Sequence, residues 1–157
     1  LTIKHYEPMI DLYTLGYPNE EVRTGMVRSL AAADLAALCH QLTSFFASIP
    51  YTMRRKDTEQ ERERYFHYTF YLIFRILSTY LVLTEKQQSE GRADCIIETP
   101  KDIFIFEFKL DGTANEALRQ IESRGYARPY EADMRHIYLV GASFSSKTGT
   151  IEEWKVK

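Results

Sequence analysis

The run Asp102–Leu110, D-I-F-I-F-E-F-K-L, constrains the fold of this chain more than any other segment. The run reads as a β-strand, in which successive side chains point to opposite faces. Phe104, Phe106 and Phe108 therefore share one face, directed into a core, and Glu107 and Lys109 share the other. A second strand-like run, Arg92–Glu98, precedes it across Thr99-Pro100-Lys101-Asp102. If that short segment is the loop, pairing is symmetric about it and Asp94 stands opposite Glu107. Directly opposed residues have Cβ atoms roughly 4.5–5.5 Å apart.

Two like charges so placed repel unless something neutralises them. A hard divalent cation does so, and Mg²⁺ is typically held by one or two carboxylates together with waters and phosphate oxygens. The backbone carbonyl of Phe108 is a candidate additional ligand. Lys109 is then placed to stabilise charge on a phosphate or to help activate a water. Glu63 and His67, spaced i, i+4 on an expected helix, lie on one face of it. Glu63 is a further candidate acid and His67 a group that orients it or a phosphate. Gln120 is a polar residue among apolar neighbours on the next helix.

The rest of the chain supplies a frame for this constellation. Its 157 residues suit one domain with a real core, and 45% apolar against 27% charged residues excludes a disordered chain. Leu1–Tyr17 reads as a small hairpin. Asn19 is expected to cap a helix whose apolar positions Val22, Met26, Leu30, Leu35, Leu38, Leu42 and Phe45 keep a 3.6-residue period until Pro50. A second helix is expected over about Thr58–Tyr80. The greasy stretch Tyr65–Leu83 holds Arg75 and His67, so it reads as a core helix running into a strand rather than a membrane span. Strands come next at Leu81–Glu85, Arg92–Glu98 and Asp102–Leu110, then a helix at Thr113–Ser123, then strands at Arg135–Gly141 and Thr150–Val156. This order predicts an α/β (α+β) architecture with helices covering a sheet.

Twenty basic against 22 acidic side chains leave a net charge of −2, so nucleic-acid contact must rest on a local patch. Arg92, Arg119 and Arg124, with Arg62, Arg64, Arg128 and Arg135, are the candidates for gripping a phosphate backbone. Cys39 and Cys95 have no metal-ligand spacing, and their use fits a reducing, cytoplasmic setting. Gly141-Ala-Ser-Phe-Ser-Ser-Lys-Thr148 approaches a phosphate-binding loop but has Ser146 at the second glycine, and Gly149–Trp154 beyond it reads as a strand rather than a helix. It is therefore expected to be a hairpin loop.

The ordered set E-R-Y-F-H (63–67), G-R-A-D (91–94), I-F-E-F-K (105–109), A-L-R-Q-I (117–121) with G-Y (125–126), G-A-S-F-S (141–145) and Trp154 resembles a PD-(D/E)XK nuclease-superfamily domain. More narrowly, it resembles the C-terminal nuclease-like domain found behind an AAA-ATPase-like module in bacterial proteins. The resemblance implies a restriction-endonuclease-like core, a central mixed sheet flanked by helices, over 55–157. Residues 1–50 would then be a linking segment, hairpin plus helix, at the tail of an ATPase-like module, in keeping with a chain that begins at Leu1. It further implies metal binding by Asp94 and Glu107, catalysis by Lys109, an upstream helical acid in Glu63 and a polar site group in Gln120. Ala93 replaces the proline of the family's name, which leaves the chemistry intact. The expected activity is Mg²⁺- or Mn²⁺-dependent hydrolysis of phosphodiester bonds, in DNA ahead of RNA. The alternative is a catalytically idle regulatory or nucleic-acid-binding module of the ATPase. A homodimer built on the first helix is a further expectation, and no membrane partner is expected.

Overall fold

The computed structural model describes residues 20–48, 58, 60–61, 82–84, 87–88, 91–92 and 95–157. The expected N-terminal hairpin and the body of the Thr58–Tyr80 helix lie outside the described residues. Of that helix, only its start is described. Thr58 Oγ accepts from the Glu61 N–H at 3.1 Å, while the Glu61 carboxylate accepts from the Thr58 N–H at 3.2 Å. This reciprocal pair is the capping box that opens a helix.

The single periodic helix expected from Asn19 to Pro50 is two helices, α1 (Glu20–Ala31) and α2 (Leu35–Ser48). Glu20 and Glu21 in the first turn of α1 and Arg28 in its last complement the helix dipole. The break comes at Ala33, which adopts a left-handed φ of 53°. Asp34 then restarts the helix, its carboxylate accepting from the Ala37 N–H at 3.1 Å. Periodicity carries across the break because the two helices pack on each other and bury their stripes in one core, which α2 seats on a single surface.

That surface is a sheet that has, among the described residues, five strands in the order β1 (Val82–Thr84), β4 (Cys95–Glu98), β5 (Asp102–Leu110), β6 (His136–Ser145), β7 (Thr150–Val156). Strands β5 and β6 run parallel over nine residue pairs, joined by helix α3 (Ala114–Ser123), and the other neighbours are antiparallel. The sheet is therefore mixed, and the fold is α+β, consistent with a restriction-endonuclease-like core. Two expectations need correction. The described parts of the run expected as one strand over Arg92–Glu98 serve two sheets, β4 the main one and β3 (Gly91–Arg92) a separate ribbon with β2 (Gln87–Gln88). Strand β6 continues past Gly141 to Ser145, because the β7 hairpin keeps it paired to its end.

Strand alternation sorts the core into two layers. Cys95, Ile97, Phe104, Phe106, Phe108, Val140, Ala142 and Phe144 pack with Met26, Leu30, Leu38, Leu42, Phe45 and Phe46 of α1 and α2. The Phe46 and Phe144 rings meet edge to face at 5.2 Å. The Trp154 indole N–H of β7 donates to Thr43 Oγ on α2 at 3.0 Å. On the opposite side, Ile96, Ile103 and Ile105 pack with Ile121, Tyr126 and Tyr130, and Leu118 adjoins them. Helix α3 covers this second face. Its first turn is closed by a Thr113–Glu116 capping box, and its Ala114 N–H donates to the Glu153 carboxylate of β7 at 3.2 Å.

Candidate active site

The antiparallel β4–β5 ladder has the register read from the sequence. Cys95 lies opposite Phe106, Ile96 opposite Ile105, Ile97 opposite Phe104 and Glu98 opposite Ile103. Turn chemistry fixes it: the Thr99 N–H donates to the Asp102 carbonyl at 2.9 Å, and Thr99 Oγ accepts from the Asp102 N–H at 3.0 Å. Both residues are buried, so a slip of one residue would strand polar groups as well as reverse every core side chain.

Further along β5, the face that carries Ile103 and Ile105 next presents Glu107 and Lys109. Glu107 is only 3% exposed, a depth at which a carboxylate is costly without partners. Helix α3 supplies one. The Gln120 amide N–H donates to Glu107 Oε1 at 2.5 Å, while Gln120 Oε1 accepts from Lys109 Nζ. One amide thus links the carboxylate and the ammonium, each to the end of matching polarity. Lys109 and Gln120 are half-buried, so the group borders solvent.

Helix α3 reaches this close because β6 places Gly141 beside Glu107 in the parallel register. A Cβ at Gly141 would stand 2.4 Å from the Ala114 carbonyl oxygen and 3.1 Å from Ala117 Cβ. Only glycine lets helix and sheet approach to this distance. The sequence marks this position by its glycine but not its purpose.

Of the expected site residues, the structure brings Glu107, Lys109 and Gln120 together. Asp94, Glu63 and His67 lie outside the described residues. Arg92 belongs to β3, where only its backbone is described. Phe108 directs its ring into the α1/α2 layer. Arg119 on α3 and Arg124 at its C-cap are exposed, and Arg124 lies one helical turn beyond Gln120 on the same stripe. Arg135 departs from the expected basic patch. Its guanidinium clasps Asp133 through Nε at 2.9 Å and Nη2 at 2.7 Å, and also donates to Glu98 at 2.8 Å and to the Thr99 carbonyl at 3.2 Å. These bonds hold the Arg135 guanidinium more firmly protonated than usual and press the Asp133 carboxyl down to about 2. Arg135 is a brace between the β4–β5 turn and the start of β6, with its donors already engaged.

The near-match to a phosphate-binding loop is a hairpin turn, as its composition predicts. The Lys147 and Thr148 N–H groups donate to Ser145 Oγ at 3.2 and 3.3 Å, and the Gly149 N–H donates to the Ser145 carbonyl at 2.8 Å. A phosphate cradle needs those N–H groups turned outward at a helix start.

Glu107 suits a hard divalent cation: it is an oxygen donor in a low-dielectric wall beside a solvent-bordering edge. Among the described residues, no three His, Cys, Asp or Glu side chains converge on a metal-sized site. The described part of the site therefore offers one carboxylate, and Mg²⁺ accepts one or two with waters completing its shell.

A buried carboxylate and a lysine two residues on thus stand at the end of a central strand, both tied to the next helix through Gln120. The family model of the PD-(D/E)XK nuclease superfamily matches residues 61–154, and the chain belongs to that superfamily. Nucleases of this superfamily generally use divalent metals, typically Mg²⁺. The chain is also 31% identical, over 88% of its own length, to an uncharacterized protein from the vnfD 5' region of Azotobacter chroococcum mcd 1. It spans 31% of that relative's length. No solved structure matches the chain.

Proposed function

We propose that this chain is a metal-dependent nuclease domain that hydrolyses phosphodiester bonds in nucleic acid, DNA ahead of RNA. The observation that carries this reading is the Glu107–Gln120–Lys109 linkage on the solvent-bordering end of β5. The β4–β5 register supports the remaining partner: carried one step further, the same pairing would set Asp94 opposite Glu107. Asp94, Glu107 and the Phe108 carbonyl would hold Mg²⁺ or Mn²⁺. Such a cation, when bound, acts as a Lewis acid and lowers the pKa of an attacking water.

The chain's own residues do the rest. Lys109 presents its ammonium to the charge that develops on the phosphate oxygens. Gln120 fixes the directions of both Lys109 and Glu107. Glu63 serves as an upstream acid, and His67, Arg92, Arg119 and Arg124 contact the phosphate backbone, which positions substrate without reading sequence. Residues 1–50 link this domain, 55–157, to an ATPase-like module in a longer cytoplasmic protein. The small share of the Azotobacter relative that the chain covers is in keeping with a longer protein.

The test is cleavage of single- and double-stranded DNA and RNA with Mg²⁺ or Mn²⁺, set against EDTA, Asp94→Ala and Lys109→Ala. We expect cutting with the metal, none in EDTA, and a loss of about 10²–10³-fold on removing the Lys109 ammonium, the scale of a lost charge-stabilising donor. Cutting that survives both substitutions would overturn the assignment of the site. No cutting and no calorimetric metal binding would point to the idle regulatory module instead.

A further inference from the structure

A lysine carries its ammonium on a flexible four-carbon stem, so a defined Nζ position needs something to confine that stem. Four features behind Lys109 do this. The chain reverses directly after β5, with Asp111 in a left-handed φ of 55° and its N–H donating to the Phe144 carbonyl at 2.8 Å. The reversal is pinned from just beyond β6, where the Ser146 N–H and hydroxyl donate to the Asp111 carboxylate at 2.9 and 2.6 Å. It lays Gly112 against the lysine: a Cβ at Gly112 would stand 2.9 Å from Lys109 Cβ and 3.5 Å from its Cγ. Ser143 then holds Gly112 in place. It is 4% exposed, pairs with Lys109 in the parallel register, and donates its hydroxyl to the Gly112 carbonyl at 2.7 Å.

We infer that Ser143 and Gly112 are positioning residues for Lys109, the serine anchoring the turn and the bare glycine backbone walling the lysine stem so that Nζ is delivered to Gln120. The inference rests on the reading of Lys109 as the ammonium of the site. Neither residue touches substrate in this scheme. The wall works because residue 112 has no side chain: the turn can lie flush on the stem, leaving it few rotamers. An ammonium misplaced by about 1 Å can cost on the order of 10²-fold in rate.

The experiment reads Lys109 directly, by NMR of its side-chain Cε–Hε groups in the whole chain with labelled lysine, the signal being assigned by its absence in Lys109→Arg. In the unsubstituted protein we expect two inequivalent Hε protons, shifted from the positions of exposed lysines. Ser143→Ala and Gly112→Ala should move both signals toward the free-lysine positions, as Gln120→Ala should. The kcat should fall about tenfold while KM changes less than about twofold, since binding groups are left alone. A role limited to turn stability would leave the Lys109 signals in place, and that result overturns the inference. So would free-lysine signals in the unsubstituted protein, a measurement that depends on no variant folding. Responsive signals in a chain that cuts nothing would uphold the positioning and sink the nuclease reading. Cutting with unresponsive signals would do the reverse.

Discussion

The two faces of strand β5 are built from the same nine residues and serve opposite ends. Phe104, Phe106 and Phe108 are buried in one cluster with apolar residues of α1 and α2. On the other face, Ile103 and Ile105 are covered by α3 in the same way, but the next two positions are Glu107 and Lys109. Burial persists at Glu107 while the chemistry changes, so the second face is apolar for half its length and polar toward the end where Lys109 borders solvent. Alternation lets one strand anchor a core and carry a site without either compromising the other. The layer under the phenylalanines supplies stability, and the layer under α3 gives up part of it to a buried charge.

The sharpest way to break this contrast is to compare neighbours. Phe106→Ala opens a cavity at a fully buried position and should cost about 3–5 kcal/mol in urea unfolding. Glu107→Gln keeps the shape and an oxygen acceptor for the Gln120 amide while it removes the buried charge, so it should change stability by about 1 kcal/mol or less, the scale of a single net hydrogen bond. Equal losses at the two positions would mean that Glu107 is structural. A smaller effect than that of Phe106→Ala is expected from Gly141→Ala, where the added Cβ meets the Ala114 carbonyl and must push α3 away. We expect about 1–3 kcal/mol from the overpacking, read by thermal unfolding, with the Gln120 linkage lost. An unchanged melting temperature would show that α3 shifts freely and is no precise platform for Gln120.

The smallest effect belongs to the brace at the far end of β5. Asp133 has its carboxyl held at about 2 by Arg135, against an ordinary value of 3.8. A depressed folded value means that the carboxylate contributes stability above about pH 4 and that this contribution fades as pH falls toward about 2. Asp133→Asn should therefore flatten the acid limb of the stability curve in that window and leave activity untouched. The effect is modest because the pair faces solvent, where ion pairs are weak. An acid limb identical to that of the unsubstituted protein would show the brace to be inert.

Much of this arrangement is legible in the residues. The alternation of Asp102–Leu110 and the short Thr99–Asp102 turn dictate both the strand and its register, because a slip would reverse a face that must be buried. The α3 stripe of Ala114, Ala117 and Ile121 is equally plain. Other features have no local signature. Ala33 takes a left-handed conformation without being glycine, so nothing in its identity announces the break between α1 and α2. The signal that could have found it is Asp34, a good helix cap in mid-pattern. Arg135 looks like any basic residue near a nucleic-acid site. Only the fold brings Glu98 across to it from another strand. Gln120 reads in sequence as a polar group among apolar neighbours, but its double contact depends on Gly141, a closeness set by a third element.

The placement of Glu107 and Lys109 on β5 also governs how the site is lost. Among the described residues this strand is third of five in the sheet and is paired to β6 along its whole length. Interior strands of this kind exchange their amide hydrogens through global opening, whereas sheet edges and helix ends fray at much lower energy. Heating should therefore leave the charged pair intact through any loosening at the periphery and then remove it together with the whole fold, so that inactivation and unfolding coincide in one transition.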